Sequence, residues 1–136
     1  MKQLLKIKEP EGSVKSPEDL FSKIQKINID FSQENFLVIC LNTKNQVISS
    51  KVLFKGGLDS CLIDAKLVFR YALINNSSKI IIAHNHPSGN LAPSYEDKEV
   101  YVKLKDSGES LGLPILDSII FNKTEFYSIE TEGTNV

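Results

Sequence analysis

The stretch KIIIAHNHPSG, residues 79–89, constrains this chain more than any other. Ile80 to Ala83 form a short, unbroken apolar run, the pattern of a central strand in a sheet. His84 and His86 follow at once, and they are the only two histidines in the chain. Residues two apart on a strand point to the same side. Both imidazoles can therefore aim at one point, while Asn85 points away. Pro87 ends the strand and stiffens its exit.

The elements around this strand read as an α/β domain. SPEDLFSKIQKI predicts a helix, with Ser16 as N-cap, Pro17 in the first turn, and Glu18 and Asp19 at the positive end. Its apolar face is Leu20, Phe21, Ile24 and Ile27. ENFLVICLN and VISSKVLF predict two strands joined by the turn TKNQ as a hairpin. KGGLDS is a loop, in which Gly56 and Gly57 permit unusual backbone angles. IDAKLVFRYALINN has helical spacing, with Asn75 and Asn76 as stop residues. NHPSGNLAP is a loop, and SYEDKEVYVKLKDSGESLG is a helix ending at Gly108 or Gly112. PILDSIIF and EFYSIE form two closing strands around the turn NKT. The order of elements predicts a mixed β-sheet flanked by helices, not a regular doubly wound fold. Residues 1–15 read as an N-terminal arm and 16–136 as a single domain.

Composition narrows the function classes. A chain of 136 residues with 41% hydrophobic content suits one compact domain with a real core. The formal net charge of -1 carries no electrostatic footprint for nucleic acid. Lys98, Lys103 and Lys105 are mixed with acids and read as a solvated surface. No apolar run reaches the ~18 residues that a membrane-spanning helix needs, and the start MKQLLKIKEPEG has no cleavable signal pattern. The expectation is a cytoplasmic protein with no membrane partner. Cys40 and Cys61 form no CxxC pair and are expected to be buried free thiols. Open sheet edges and an apolar final hairpin make a homodimer an open expectation.

Two imidazoles on one face are half of a zinc site. PSYED, after the loop, supplies a third ligand. Ser94 is a natural N-cap, and Asp97 at the third helical position completes an S-x-x-D capping arrangement. A side chain in that first turn can reach back to the histidines. Glu96 is the competitor, but it lies on the adjacent face, so Asp97 is favoured. Three protein ligands leave one coordination position open, the catalytic pattern rather than the structural one. Hydrolysis at such a site also needs a base. Glu34, a lone acid heading the apolar strand ENFLVICLN, is the candidate, with Glu9, Glu11 and Asp30 as competitors nearby in sequence.

HNHPSGNLAPSYED resembles the JAMM signature of MPN-type metalloproteases: H-x-H-P, six residues, S, two residues, D. These positions are His84, His86, Pro87, Ser94 and Asp97, without a gap. ENFLVICLNTKNQVI, VFRYAL and LGLPILDSIIF make the chain similar to the RadC-type branch, from about Ser16 to Ile129. The resemblance implies a JAMM/MPN, cytidine-deaminase-like architecture. It implies one Zn2+ per chain held by His84, His86 and Asp97, with Glu34 as general acid/base and Ser94 as donor to the oxyanion. It also implies hydrolysis of peptide or isopeptide bonds in a peptide or protein substrate. Three features depart from that branch. A helical DNA-binding-type segment is expected to be missing ahead of the domain. IDAKLVF stands where the branch has a P-R-E type sequence. Ser118 stands where it has histidine.

Two other readings compete. One is a non-catalytic protein- or DNA-binding module on a JAMM-like scaffold, of the kind the branch's traditional DNA-repair name suggests. The other is a metal-dependent nuclease, disfavoured because no carboxylate cluster provides for a second metal. The literal triplet HNH is no evidence for a nuclease, since in nucleases of that name the letters mark separated residues.

Overall fold

A computed structural model describes residues 12–56 and 63–131, and the backbone of 133–134. The elements are α1 (Pro17–Ile24), β1 (Asn35–Leu41), β2 (Val47–Lys55), α2 (Ala65–Ile74), β3 (Lys79–Asn85), α3 (Tyr95–Leu111), β4 (Ile115–Phe121), β5 (Phe126–Ser128) and β6 (Gly133–Thr134). They form one sheet in the order β2-β1-β3-β4-β5-β6. Only β3 and β4 run parallel, and every other neighbouring pair is antiparallel. The sheet is mixed, as the order of elements predicts. The parallel pair arises because the chain crosses over through α3, which is long enough to return it to the same end of the sheet.

Each face of the sheet carries its own core. Phe36, Val38, Cys40, Ile80 and Ile82 pack with Val68, Phe69 and Ala72 of α2 and Val100, Tyr101 and Leu104 of α3. Leu37, Ile39, Leu41, Ile81, Ala83, Ile119 and Phe121 pack with Leu20, Phe21 and Ile24 of α1. The alternation follows from the two-residue period of a strand. It also explains why β1 and β3 read as continuous apolar runs: all seven residues of β1 are buried, because both of its faces are covered. β2 lies at the edge, and its residues are half-buried or exposed.

The expected caps are present. The Ser16 side chain accepts from the Asp19 N–H at the start of α1, with Pro17 in the first turn. Asp64 caps α2, so that helix begins two residues inside the expected stretch, and Asn75 closes it. Ile27 lies beyond α1 but packs against the same core that its helical face would have joined. Residues 1–11 of the expected arm lie outside the described residues; Ser13 and Val14 are tied to the β1–β2 turn through the Ser13–Gln46 bridge and the Val14 N–H to Asn45 carbonyl bond of 2.7 Å. Cys40 is a buried free thiol. Gly57 and Cys61 lie outside the described residues.

Gly112, at φ 72°, is the left-handed C-cap of α3. Gly108 stays within the helix for a different reason. A Cβ placed there would meet the Leu113 carbonyl oxygen at 2.3 Å. That carbonyl belongs to the chain folding back under the helix end, where the Leu113 N–H bonds the Gly108 carbonyl at 2.8 Å. Gly108→Ala should therefore destabilise the protein by about 1–3 kcal/mol, despite the ~1 kcal/mol that alanine gains in helix propensity. A lower urea midpoint with an unchanged slope would show it; an equal or higher midpoint would mean that the turn yields freely.

Candidate metal centre

His84 is the last β3 residue paired with β1, opposite Phe36. His86 lies one residue beyond the end of the strand. The Nε2 atoms of both histidines converge on the carboxylate of Asp97, in the first turn of α3. His84 Nε2 is 3.0 Å from Oδ1, and His86 Nε2 is 3.1 Å from Oδ2. One ligand atom from each of the three lies within 4.8 Å of the other two. Two donors at ~2.0–2.1 Å from a shared tetrahedral ion would stand roughly 3.3 Å apart, so these separations suit a common cation.

The hydrogen bonds around the group make the case stronger. His86 Nδ1 lies 2.7 Å from the Asn90 carbonyl oxygen, which can only accept. The proton of a neutral His86 ring is therefore on Nδ1, and the Nε2 lone pair faces the site. His84 is 5% exposed, yet among the described residues neither of its ring nitrogens has a hydrogen-bond partner. Its Nε2 lies 3.0 Å from Asp97 Oδ1 without forming a hydrogen bond. A buried imidazole left without partners is costly unless a cation uses its lone pair. Its ring stacks on Phe36, with centroids 6.4 Å apart and planes 13° apart, which fixes its aim.

Asp97 is held by the helix that carries it. The Asp97 N–H donates to Ser94 Oγ at 3.0 Å, and the Ser94 N–H donates to Asp97 Oδ2 at 2.7 Å, a complete capping box. Oδ2 is thus engaged by the backbone, while Oδ1 faces His84. Burial opposes ionisation of Asp97, but the two imidazoles and the Ser94 N–H outweigh it and hold the carboxyl far below its ordinary range. Asp97 in turn raises the pKa of His86, against the effect of its burial.

A small apolar pocket opens beside the group, lined by Phe36, Ile63, Ile82 and Val100 together with Glu34, Glu96 and Ser118. Glu34 reaches it through strand register. β1 and β3 pair as far as Phe36 with His84, and Glu34, two residues ahead of Phe36, borders the pocket close enough for its charge to act on His86. Its carboxylate makes no hydrogen bond or ion pair among the described residues. Of its competitors, Asp30 is occupied by Ser32 and Gln33, and Glu9 and Glu11 lie outside the described residues. Glu96 borders the pocket but is exposed and does not join the three-residue group. Ser94 is exposed at the helix start; its Oγ accepts one bond, which leaves the hydroxyl hydrogen to donate.

Two features of the site escape a reading of spacing alone. Ser118, opposite Ile82 on β4, is part of the pocket wall. Asn85 is wholly buried and bonded to Asn35. A polar residue between two histidines, just past an apolar run, was the one available signal for the second.

The sequence also matches known chains. The model of the RadC-like JAB domain matches residues 14–134, and the chain belongs to that family. It is 41% identical to a UPF0758 protein of Flavobacterium johnsoniae over 96% of this chain and 55% of the relative. It is 41% identical to one from Staphylococcus haemolyticus over 88% and 53%, and 35% identical to one from Methanosarcina barkeri over 93% and 56%. The chain thus spans about half the length of the curated relatives it matches. Their names state no activity. Among the described residues no helix is long and apolar enough to cross a membrane.

The pKa shifts give a signed expectation for the metal-free protein. His86 is raised, so its contribution to stability is complete below about pH 6.5 and is lost as pH rises through its folded value. Asp97 is lowered, so its contribution is present above about pH 4 and is lost in strong acid. Thermal unfolding of chelator-treated protein should show stability falling as pH is raised from 6 to 9, with the fall abolished in His86→Ala. Added zinc should reverse the trend, because binding requires His86 Nε2 to be unprotonated.

Proposed function

We propose that this domain is a zinc-dependent metallohydrolase that cleaves peptide or isopeptide bonds. The observation that carries the reading is the convergence of His84, His86 and Asp97 beside a pocket that also holds the unpaired carboxylate of Glu34. Nitrogen and carboxylate donors in a three-ligand set favour zinc with an open coordination position. When bound there, the ion supplies Lewis acidity, polarising a carbonyl and acidifying water to near neutrality. His84, His86 and Asp97 hold it. Glu34 takes a proton from the attacking water and delivers it to the departing amine, so that one carboxylate serves first as base and then as acid. The Ser94 hydroxyl donates to the oxygen on which negative charge develops. The apolar residues Phe36, Ile63, Ile82 and Val100 exclude bulk water and strengthen these interactions. A peptide or protein segment is the partner such a site would receive, and the net charge of -1 gives nucleic acid no comparable support.

Elemental analysis of protein purified without chelators or affinity metals should find about one zinc per chain, lost in His84→Ala and in Asp97→Ala. With quenched-fluorescence peptides and lysine-branched isopeptides as substrates, Glu34→Gln should retain zinc and lose ~10²–10⁴-fold in rate. Ser94→Ala should lose rate as well, with a separate stability cost of about 1 kcal/mol from the missing cap. Full zinc occupancy with no cleavage of any substrate would instead favour a non-catalytic binding module.

A further inference from the structure

Asn85 stands between the two histidines in sequence but on the opposite face of the sheet. It is 0% exposed, at the end of a strand whose middle, Ile80 to Ala83, is apolar. All of its side-chain bonds go to the segment around Glu34. Its Oδ1 accepts from the Asn35 backbone N–H at 2.8 Å and from Asn35 Nδ2 at 3.1 Å. Its Nδ2 donates to the Gln33 carbonyl at 3.0 Å. Asn35 Nδ2 closes the arrangement by donating to the Gln33 and Asp30 carbonyls, at 3.0 and 2.8 Å.

The consequence lies in what is left between these bonds. Gln33 and Asn35, the two residues flanking Glu34, are both tied to one side chain. The Glu34 carbonyl accepts from the Gly56 N–H at 3.0 Å, which binds the same residue to the end of β2. Glu34 is thus fixed by its backbone on three sides, while its carboxylate stays unbonded. The β1–β3 ladder ends at the Phe36–His84 pair, and beyond it the side chain of Asn85 takes over the role of the strand backbone. A buried amide is expensive unless fully bonded, and this one is bonded at both ends.

We propose that Asn85 is the positioning residue for Glu34: its amide clasps the backbone on either side of Glu34 and so sets the carboxylate at a fixed distance from the site that His84, His86 and Asp97 form. This rests on the reading of Glu34 as the proton carrier. The carbonyl side of the amide fixes Asn35, and the amino side fixes Gln33. Removing both frees the segment, whereas removing only the amino group frees half of it.

The test uses two readouts on wild type, Asn85→Ala and the near-isosteric Asn85→Asp. The first is backbone amide exchange in the metal-free protein, which does not depend on the metal reading. Asn85→Ala should speed exchange of the Asn35 N–H at least tenfold and leave Val38, inside β1, unchanged. Asn85→Asp, which keeps the acceptor, should fall between. Equal exchange in all three proteins would overturn the clasp. The second is the pseudocontact shift of the Glu34 amide in Co2+-loaded protein. In Asn85→Ala it should fall to less than half, while the shifts of Val100 and Tyr101 on α3 persist. Persistence of the Glu34 shift in that variant would overturn the positioning role. Absence of paramagnetic shifts in wild type would instead strike at the metal site, and amide exchange would still decide the clasp.

Discussion

The carboxylate of Asp97 is the point on which the site depends. One oxygen completes the first turn of α3 by accepting from the Ser94 N–H, and the other meets His84 from the end of β3. A helix and a sheet are joined there through three atoms. The capping box fixes the side chain before any ion is present, because its energy comes from backbone donors that a helix start always leaves unpaired. The same negative charge favours a positive charge beside it, which in the absence of an ion is a proton on His86.

The sheet supplies the rest. Glu34, just ahead of β1, reaches the pocket beside His86, and the loop after β3 returns the chain so that Asp97, in the first turn of α3, lies over the strand end. The apolar residues of the pocket are the next members of the same strands and helices, two or three positions along: Phe36 after Glu34, Ile82 before His84, Val100 after Asp97. The three-residue group thus sits at the open end of a core whose packing determines its geometry.

Much of this was legible in the sequence. β1 and β3 carry continuous apolar runs because both faces are covered, and such runs depend little on context. The signature from His84 to Asp97 was legible because its members lie within one loop and one helical turn. The closing strand was not. EFYSIE predicts six residues, and only Phe126–Ser128 pair. Beyond them the Ile129 N–H turns to the Ser118 carbonyl and the Glu130 N–H to the buried Asp117 carboxylate, contacts that no local pattern announces. The partnership of Asn85 with Asn35 was hidden for the same reason. Fifty residues separate the two, and a polar residue at the end of an apolar run reveals nothing of which partner it has.

The capping box also bears on the life of the domain without its ion. A site assembled by its ligand must refold each time the ligand leaves. Here the Ser94 backbone keeps hold of Asp97, and the Asn90 carbonyl keeps hold of His86 Nδ1, whatever occupies the space between. The two side chains are thus held by separate backbone groups, and the shape of the seat belongs to the chain itself rather than to anything that enters it.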